Sequence, residues 1–148
     1  MLPRWHIVLG FLFSLILYFL IPGIGLVNAG VIFLASVFID FDHYVSSCLN
    51  SGKILSLKES FRYYKKQEIE AVRNQARGIF KKGDFHLFHT IEFHLLILLT
   101  GFFVRFFLFV FIGMLFHSIV DVGWMIYRKG LYHREFWFVR WMKNKINF

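Results

Sequence analysis

The sequence has little cysteine, little proline and few charged residues. One Cys and two Pro occur among 148 residues. Cys48 by itself cannot form an internal disulfide, and it lacks the partner cysteines that a thiolate zinc cluster needs. Charged residues make up 18% of the chain, whereas 57% is hydrophobic, with 21 Phe and 4 Trp. A soluble domain of this length carries more charge and fewer apolar residues, so the composition favours a membrane protein.

The charge that is present is mostly basic and lies in two blocks. The chain has 17 Lys and Arg against 9 Asp and Glu. Nine of the basic residues lie between positions 51 and 84, and six lie from Arg128 onward. Both blocks flank apolar segments, so we expect them to contact anionic membrane lipids and to set the topology, and we expect no nucleic-acid partner.

Four apolar runs, at about 5–21, 24–41, 86–100 and 106–127, predict an all-α integral membrane four-helix bundle in which residues 1–148 form a single domain. A span needs roughly 20 apolar residues, so the second and third runs are short. Pro22-Gly23 predicts a tight turn between the first two. The N-terminus, the 44–84 segment and the 128–148 tail carry 16 of the 17 basic residues. Both termini are therefore predicted on the cytoplasmic side of the cell (inner) membrane.

The two basic segments outside the apolar runs have an amphipathic pattern. Within 44–84, apolar residues recur at nearly helical spacing between basic residues, as at Leu57, Phe61 and Tyr64. The tail repeats the pattern with Trp137 and Trp141, residues typical of membrane interfaces. Both segments are predicted to be interfacial helices on the cytoplasmic leaflet. Helix packing without lipid specificity is the alternative.

Ionisable residues interrupt the apolar runs in three groups, and such residues cost about 3 kcal/mol each to insert. Helical spacing places His117 and Asp121, which are four residues apart, on one face of a helix. It also places on one face the pairs that are three residues apart in the other two groups. His94 is five residues from His89, so a straight helix turns it away, and His86 stays undecided. The topology places all three groups near the cytoplasmic surface. They consist of Asp40, Asp42 and His43; His86, His89, Glu92 and His94; and His117 and Asp121.

Imidazole and carboxylate ligands together suit a divalent metal, with zinc first and manganese or iron as alternatives. The number of donors suffices for two or more ions, and a pair of ions about 4 Å apart suits phosphoryl displacement. The predicted metal ligands are Asp40, Asp42, His43, His89, Glu92, His117 and Asp121.

Three motifs carry a resemblance to a known family. "DFDH" at 40–43 follows an apolar run, "HTIEFHL" at 89–95 opens the next run, and "HSIVD" lies at 117–121. Together they resemble the YdjM family of membrane-bound metal-dependent hydrolases, over most of the chain outside the basic loop and the tail. The middle motif departs from the family's His-Arg-Gly pattern, with Thr90 and Ile91 in place of Arg-Gly and with Glu92 added.

That family is distantly similar to zinc-dependent phospholipase C and P1-type nucleases, and the resemblance implies phosphoester hydrolysis. The expected function is hydrolysis of a lipid or other phosphate-containing substrate at the cytoplasmic face, with Asp42 or Glu92 as general base. Two alternatives stay open: a cation or proton transport protein, for which four helices would need to oligomerise, and a non-catalytic metal-binding membrane adaptor.

Overall fold

The computed structural model describes residues 3–51 and 57–146. Regular structure in this part of the chain is helical, with no β-strand, which confirms the all-α prediction. The α-helices are α1 (Pro3–Leu20), α2 (Gly25–Phe38), α3 (Phe41–Ser51), α4 (Leu57–Ala76), α5 (Ile91–Phe103), α6 (Phe106–Tyr127) and α7 (Phe138–Ile146). Short 3-10 turns occupy Leu87–His89 and Leu131–His133.

Two helical stretches are long and apolar enough to cross a membrane. One is Gly25–Cys48, in which α2 continues through a turn at Ile39 and Asp40 into α3, and the other is α6. The apolar helices Arg4–Leu20 and Ile91–Phe103 are shorter. Helix α6 has the bounds predicted for the fourth run. The third run, predicted from residue 86, becomes α-helical only at Ile91, because Thr90 has extended backbone and caps α5 by accepting a hydrogen bond from Phe93 N at 3.3 Å.

Helix α2 lies between α1 and α6, and α5 packs on α6. Small residues set the spacing of these helices. A Cβ atom at Gly113 would lie 2.3 Å from the carbonyl oxygen of Ile32, and one at Gly10 would lie 2.2 Å from Ser36 Oγ. Close backbone approach of this kind is typical of helices packed in a membrane.

The apolar helices bury a small apolar core, which includes Ile24, Ile32 and Phe109, together with several polar groups, and they expose many large apolar side chains. The fully buried side chains include His117, Thr90 and Ser36. Phe19 in α1 is 73% exposed and Phe103 in α5 is 90% exposed. So many exposed large apolar side chains are unusual for a water-soluble bundle.

The segment predicted as one basic amphipathic helix over 44–84 contains most of α3, all of α4 and an irregular stretch after Gly78, while residues 52–56 lie outside the described part. Helix α4 is fixed to α3 by a 2.6 Å hydrogen bond from Ser47 Oγ to Ser60 Oγ. In the tail, the predicted interfacial helix corresponds to α7, and residues 147–148 lie outside the described part. Phe85 stacks on Trp141 of α7, with ring centroids 4.1 Å apart.

Candidate metal centre

The centre of the cluster is a pair of buried imidazoles. His89 is the last residue of the 3-10 turn before α5, and His117 lies in the middle of α6. Their Nε2 atoms face each other at 3.4 Å, and both side chains have 0% exposure. The helix contacts explain the position of His117, since it lies one turn after Gly113, where α6 touches α2.

The other nitrogen of each ring is held by an oxygen acceptor. His117 Nδ1 lies 2.7 Å from the carbonyl oxygen of Ser36, and His89 Nδ1 lies 3.2 Å from Asp42 Oδ2. Asp42 Oδ2 also accepts a 2.8 Å hydrogen bond from Phe88 N. Because a carbonyl oxygen can only accept, Nδ1 of His117 carries the proton, and an ionised Asp42 requires the same of His89. Both Nε2 lone pairs then point into the space between the rings, the arrangement found in metal-binding histidines.

Two carboxylates border the same space. Asp40 Oδ1 lies 3.4 Å from His117 Nε2 and 3.7 Å from His89 Nε2. Asp121 Oδ2 lies 3.7 Å from His117 Nε2 and 4.0 Å from His89 Nε2. Direct charge-assisted hydrogen bonds have lengths of about 2.7–2.9 Å, whereas ligand nitrogens at about 2.0–2.1 Å from a tetrahedral zinc ion lie about 3.4 Å apart. The spacing therefore suits donors around a cation better than donors bonded to one another.

His6, in the first turns of α1, joins the cluster from the third side. Its Nε2 lies 3.2 Å from Asp121 Oδ1, and its ring stacks on that of His117 at 4.0 Å. His6, Asp40 and His117 form one group with metal-ligand spacing, and His89, His117 and Asp121 form another.

Two further sets of side chains with metal-ligand spacing lie beside the first two, toward α3. Asp40, His43 and His89 share metal-ligand spacing, as do Asp42, His43 and His86. Asp42 Oδ1 and His86 Nδ1 are buried, lie 3.8 Å apart and have no hydrogen-bond partner among the described residues. Leaving two such atoms unpaired is costly, so a cation between them fits this place. The donor set as a whole could hold one ion or two.

The cluster is open on the side of α3. The side chains of Asp40 and His43 are 25% and 27% exposed, whereas the central imidazoles are fully covered. A metal ion bound here would be accessible from the side of Asp40 and His43.

Two residues considered from sequence lie elsewhere. Both carboxylate oxygens of Glu92 accept backbone hydrogen bonds at the start of α7, from Phe138 N at 3.0 Å and Val139 N at 3.1 Å. The structure does not bring Glu92 to the cluster, because the helix break at Thr90 removes the three-residue stacking of His89 and Glu92 that a continuous helix predicts. His94 also lies apart, with Nε2 at 3.0 Å from Ser118 Oγ.

The structure brings the other predicted ligands together, and the undecided His86 lies with them. These ligands are Asp40, Asp42, His43, His89, His117 and Asp121. Sequence reasoning missed two residues at the site, His6 and Arg134. The signal for His6 is a lone imidazole in the first turn of an apolar run, four residues before a glycine. Arg134 has no local signal, because it is one of several basic residues in the tail.

Arg134 brings a positive charge to the edge of the cluster. Its Nη2 donates to Asp121 Oδ2 at 2.8 Å, and its side chain is 11% exposed.

The neighbouring Glu135 is buried and bonded to Arg140 and Lys82. Burial opposes ionisation of Glu135, but these two cations lower the pKa of its carboxyl below the usual value.

Helix α4 touches the cluster through Tyr64. Its hydroxyl donates to the carbonyl oxygen of His43 at 2.7 Å, and its ring meets that of His43 edge-on at 5.3 Å. Burial raises the pKa of Tyr64, so the hydroxyl keeps its proton and remains a donor at neutral pH.

No protein-family profile, no curated protein and no solved structure matches this chain in the comparisons made.

Proposed function

We propose that this chain is an integral-membrane, metal-dependent hydrolase that acts on phosphoester bonds of lipid or lipid-linked substrates. The observation that carries the proposal is the 3.4 Å approach of His89 Nε2 and His117 Nε2, with each Nδ1 held by an oxygen acceptor. Carboxylates at ligand spacing and a partly exposed edge at Asp40 and His43 support a centre that can be reached from outside the bundle.

The proposed ligands are the residues that the fold brings together. The first ion would be held by His89, His117, Asp40 and Asp121, with His6 beside them. A second ion would be held by Asp42, His43 and His86. A divalent ion in this place supplies Lewis-acid chemistry for phosphoryl transfer. Zinc fits the mixture of imidazole and carboxylate, and manganese and iron are alternatives.

The protein's own residues then have separate tasks. Asp42 orients His89 through Oδ2. When only the first ion is bound, its Oδ1 beside His86 is the proposed acceptor of the proton from an attacking water. Substrate enters on the side of Asp40 and His43, because the other side is closed by α1 and α6. Glu92 takes no part in this proposal, since both of its oxygens are used at α7.

The membrane assignment rests on the outward-facing apolar side chains together with two helices of spanning length. We propose that α1, α2 with α3, α5 and α6 form a four-helix membrane bundle, with both termini cytoplasmic. The metal centre then lies just below the cytoplasmic headgroups, since its ligands come from the ends of α2 and α5 that lead into the basic segments. Alkaline carbonate should leave the protein in the membrane fraction, and protease added to inside-out vesicles should remove α7.

Helix α4 is the proposed contact with anionic lipid. Its basic residues Arg62, Lys65, Lys66 and Arg73 line one face together with the exposed Ile69 and with Glu70. A basic helix with an apolar residue at its surface suits an anionic leaflet. The Tyr64 bond to His43 joins this helix directly to the open edge of the centre.

Elemental analysis of detergent-purified protein tests the metal site. Zinc, manganese and iron are counted per chain in the wild type, in His117→Ala and in His94→Ala, which removes an imidazole outside the cluster. We expect at least one ion per wild-type chain, loss in His117→Ala and retention in His94→Ala. The loaded protein is then assayed with phosphatidic acid, phosphatidylglycerol and a chromogenic phosphodiester.

Each result has a definite meaning. Wild type that takes up none of the three metals after incubation contradicts the proposal. Metal binding with no turnover of any of these substrates favours the adaptor function over hydrolysis.

A further inference from the structure

Arg134 is the one arginine or lysine, among the described residues, whose side chain donates a hydrogen bond to a member of the metal cluster. It comes from the tail, 13 residues after the Asp121 carboxylate that it contacts. Nη2 lies 2.8 Å from Asp121 Oδ2, and that same oxygen lies 3.7 Å from His117 Nε2. The guanidinium thus borders the space where the imidazole lone pairs converge.

The backbone around Arg134 is fixed to the segment that carries His86 and His89. Gly83 N donates to the carbonyl oxygen of His133 at 2.8 Å, and Lys82 Nζ donates to that of Arg134 at 3.0 Å. Two residues further on, the carbonyl oxygen of Phe136 accepts from Ile91 N at 2.9 Å. The two chain segments are therefore joined on both sides of the arginine, which limits the positions that its guanidinium can take.

The guanidinium has donors to spare. It carries five N–H groups in a planar fork, and in the described residues Asp121 accepts from one of them. The side chain keeps 11% exposure, so it is reached from outside the bundle. A fixed, partly exposed guanidinium beside a site for cations can donate two parallel hydrogen bonds to two oxygens of a phosphoryl group.

We infer that Arg134 binds the phosphoryl oxygens of the substrate, and that this anion subsite lies beside Asp121 at the edge of the metal centre. The inference rests on the proposed function, for which it names the anionic group that is recognised. Arg134 contributes binding and orientation. Its contact with Asp121 also lowers the cost of holding a positive charge in a mostly buried place.

Equilibrium dialysis of metal-loaded, detergent-purified protein with labelled inorganic phosphate tests the inference. Arg134→Gln removes the charge and the fork, Arg134→Lys keeps the charge alone, and Arg128→Gln is the matched control. Arg128 lies in the same segment but contacts Glu68 on α4, at 3.5 Å. Metal content is measured in every sample, so that loss of the ion is distinguished from loss of the subsite.

We expect phosphate affinity to fall about 10-fold to 100-fold in Arg134→Gln, to fall less in Arg134→Lys, and to change less than twofold in Arg128→Gln. Phosphate should also protect Arg134 of the wild type from modification by phenylglyoxal, which needs no variant to fold. Equal phosphate affinity in wild type and Arg134→Gln at equal metal content, or wild type that binds no phosphate, overturns the inference.

The proposed hydrolysis fails by a different result. If metal-loaded protein binds phosphate through Arg134 but cleaves no phosphoester, the inference of an anion subsite is supported and the proposed hydrolase activity is contradicted. Binding of free phosphate and of phosphatidic acid in micelles, compared in the same samples, distinguishes a soluble ligand from a lipid headgroup.

Discussion

Asp42 and His89 form a carboxylate–imidazole pair in which Asp42 Oδ2 lies 3.2 Å from His89 Nδ1. Asp42 lies in the first turn of α3 and His89 in the 3-10 turn before α5, so the pair joins segments 47 residues apart. The pair turns Nε2 of His89 toward His117. Asp42 would therefore influence an ion bound between His89 and His117 without contacting it.

Asp42→Asn is predicted to weaken metal binding about 10-fold to 100-fold, because an amide oxygen holds the imidazole less firmly than a carboxylate does. Affinity is measured by competition with a chelator of known strength. The control is Asp84→Asn, since Asp84 accepts hydrogen bonds from Tyr63 and Gln67 outside the cluster. Equal affinity in wild type and Asp42→Asn would show that His89 needs no orienting partner.

Gly113→Ala is predicted to lower the free energy of unfolding by about 1–3 kcal/mol. Its Cβ would lie 2.3 Å from the Ile32 carbonyl oxygen and 2.9 Å from Ala35 Cβ, so α2 and α6 must separate. Separation also lengthens the contact between His117 Nδ1 and the Ser36 carbonyl, and metal affinity should fall with stability. Thermal unfolding in detergent and the same chelator competition measure both.

Gly123→Ala is the control for that substitution, in the same helix. Nothing lies within 4 Å of a Cβ at Gly123. A helical glycine in open space gains up to about 1 kcal/mol on replacement by alanine. Similar loss of stability in both variants would mean that helix contact at Gly113 is not the cause.

The sequence predicted α6 well because its apolar run is continuous and its polar pair, His117 and Asp121, has helical spacing. Local spacing also placed Asp40 and His43 together. It failed at Glu92, because a threonine with extended backbone broke the helix that the spacing argument assumed. It could not find Arg134, since the approach of the tail to Asp121 depends on long-range backbone hydrogen bonds that leave no periodic pattern.

Glu92→Gln is predicted to keep the full metal content and to lose about 1 kcal/mol of stability. The amide retains one acceptor oxygen for α7 but loses the charge that favours the positive end of a helix. Elemental analysis and thermal unfolding measure the two effects, with the exposed Glu70→Gln on α4 as control. Loss of an ion in Glu92→Gln would restore Glu92 as a ligand and would require α7 to move.

Tyr64→Phe is predicted to loosen α4 while leaving its charge unchanged. The variant removes the 2.7 Å hydrogen bond to the His43 carbonyl oxygen. A bond of this kind contributes about 1 kcal/mol, which corresponds to a roughly fivefold larger open population. Trypsin cleavage after Lys65, Lys66 and Arg73 should accelerate by about that factor, because cleavage follows the opened fraction when closing is fast.

The control for this prediction is Tyr127→Phe, since Tyr127 at the end of α6 is 78% exposed and its loss of a hydroxyl should leave cleavage in α4 unchanged. If Tyr64→Phe and wild type are cut at the same rate, α4 is held by its other contacts, such as the Ser47–Ser60 bond. Faster cutting together with a changed metal affinity would instead show that α4 and the open edge of the centre are coupled through His43, so that a lipid bound to α4 would act on the metal site.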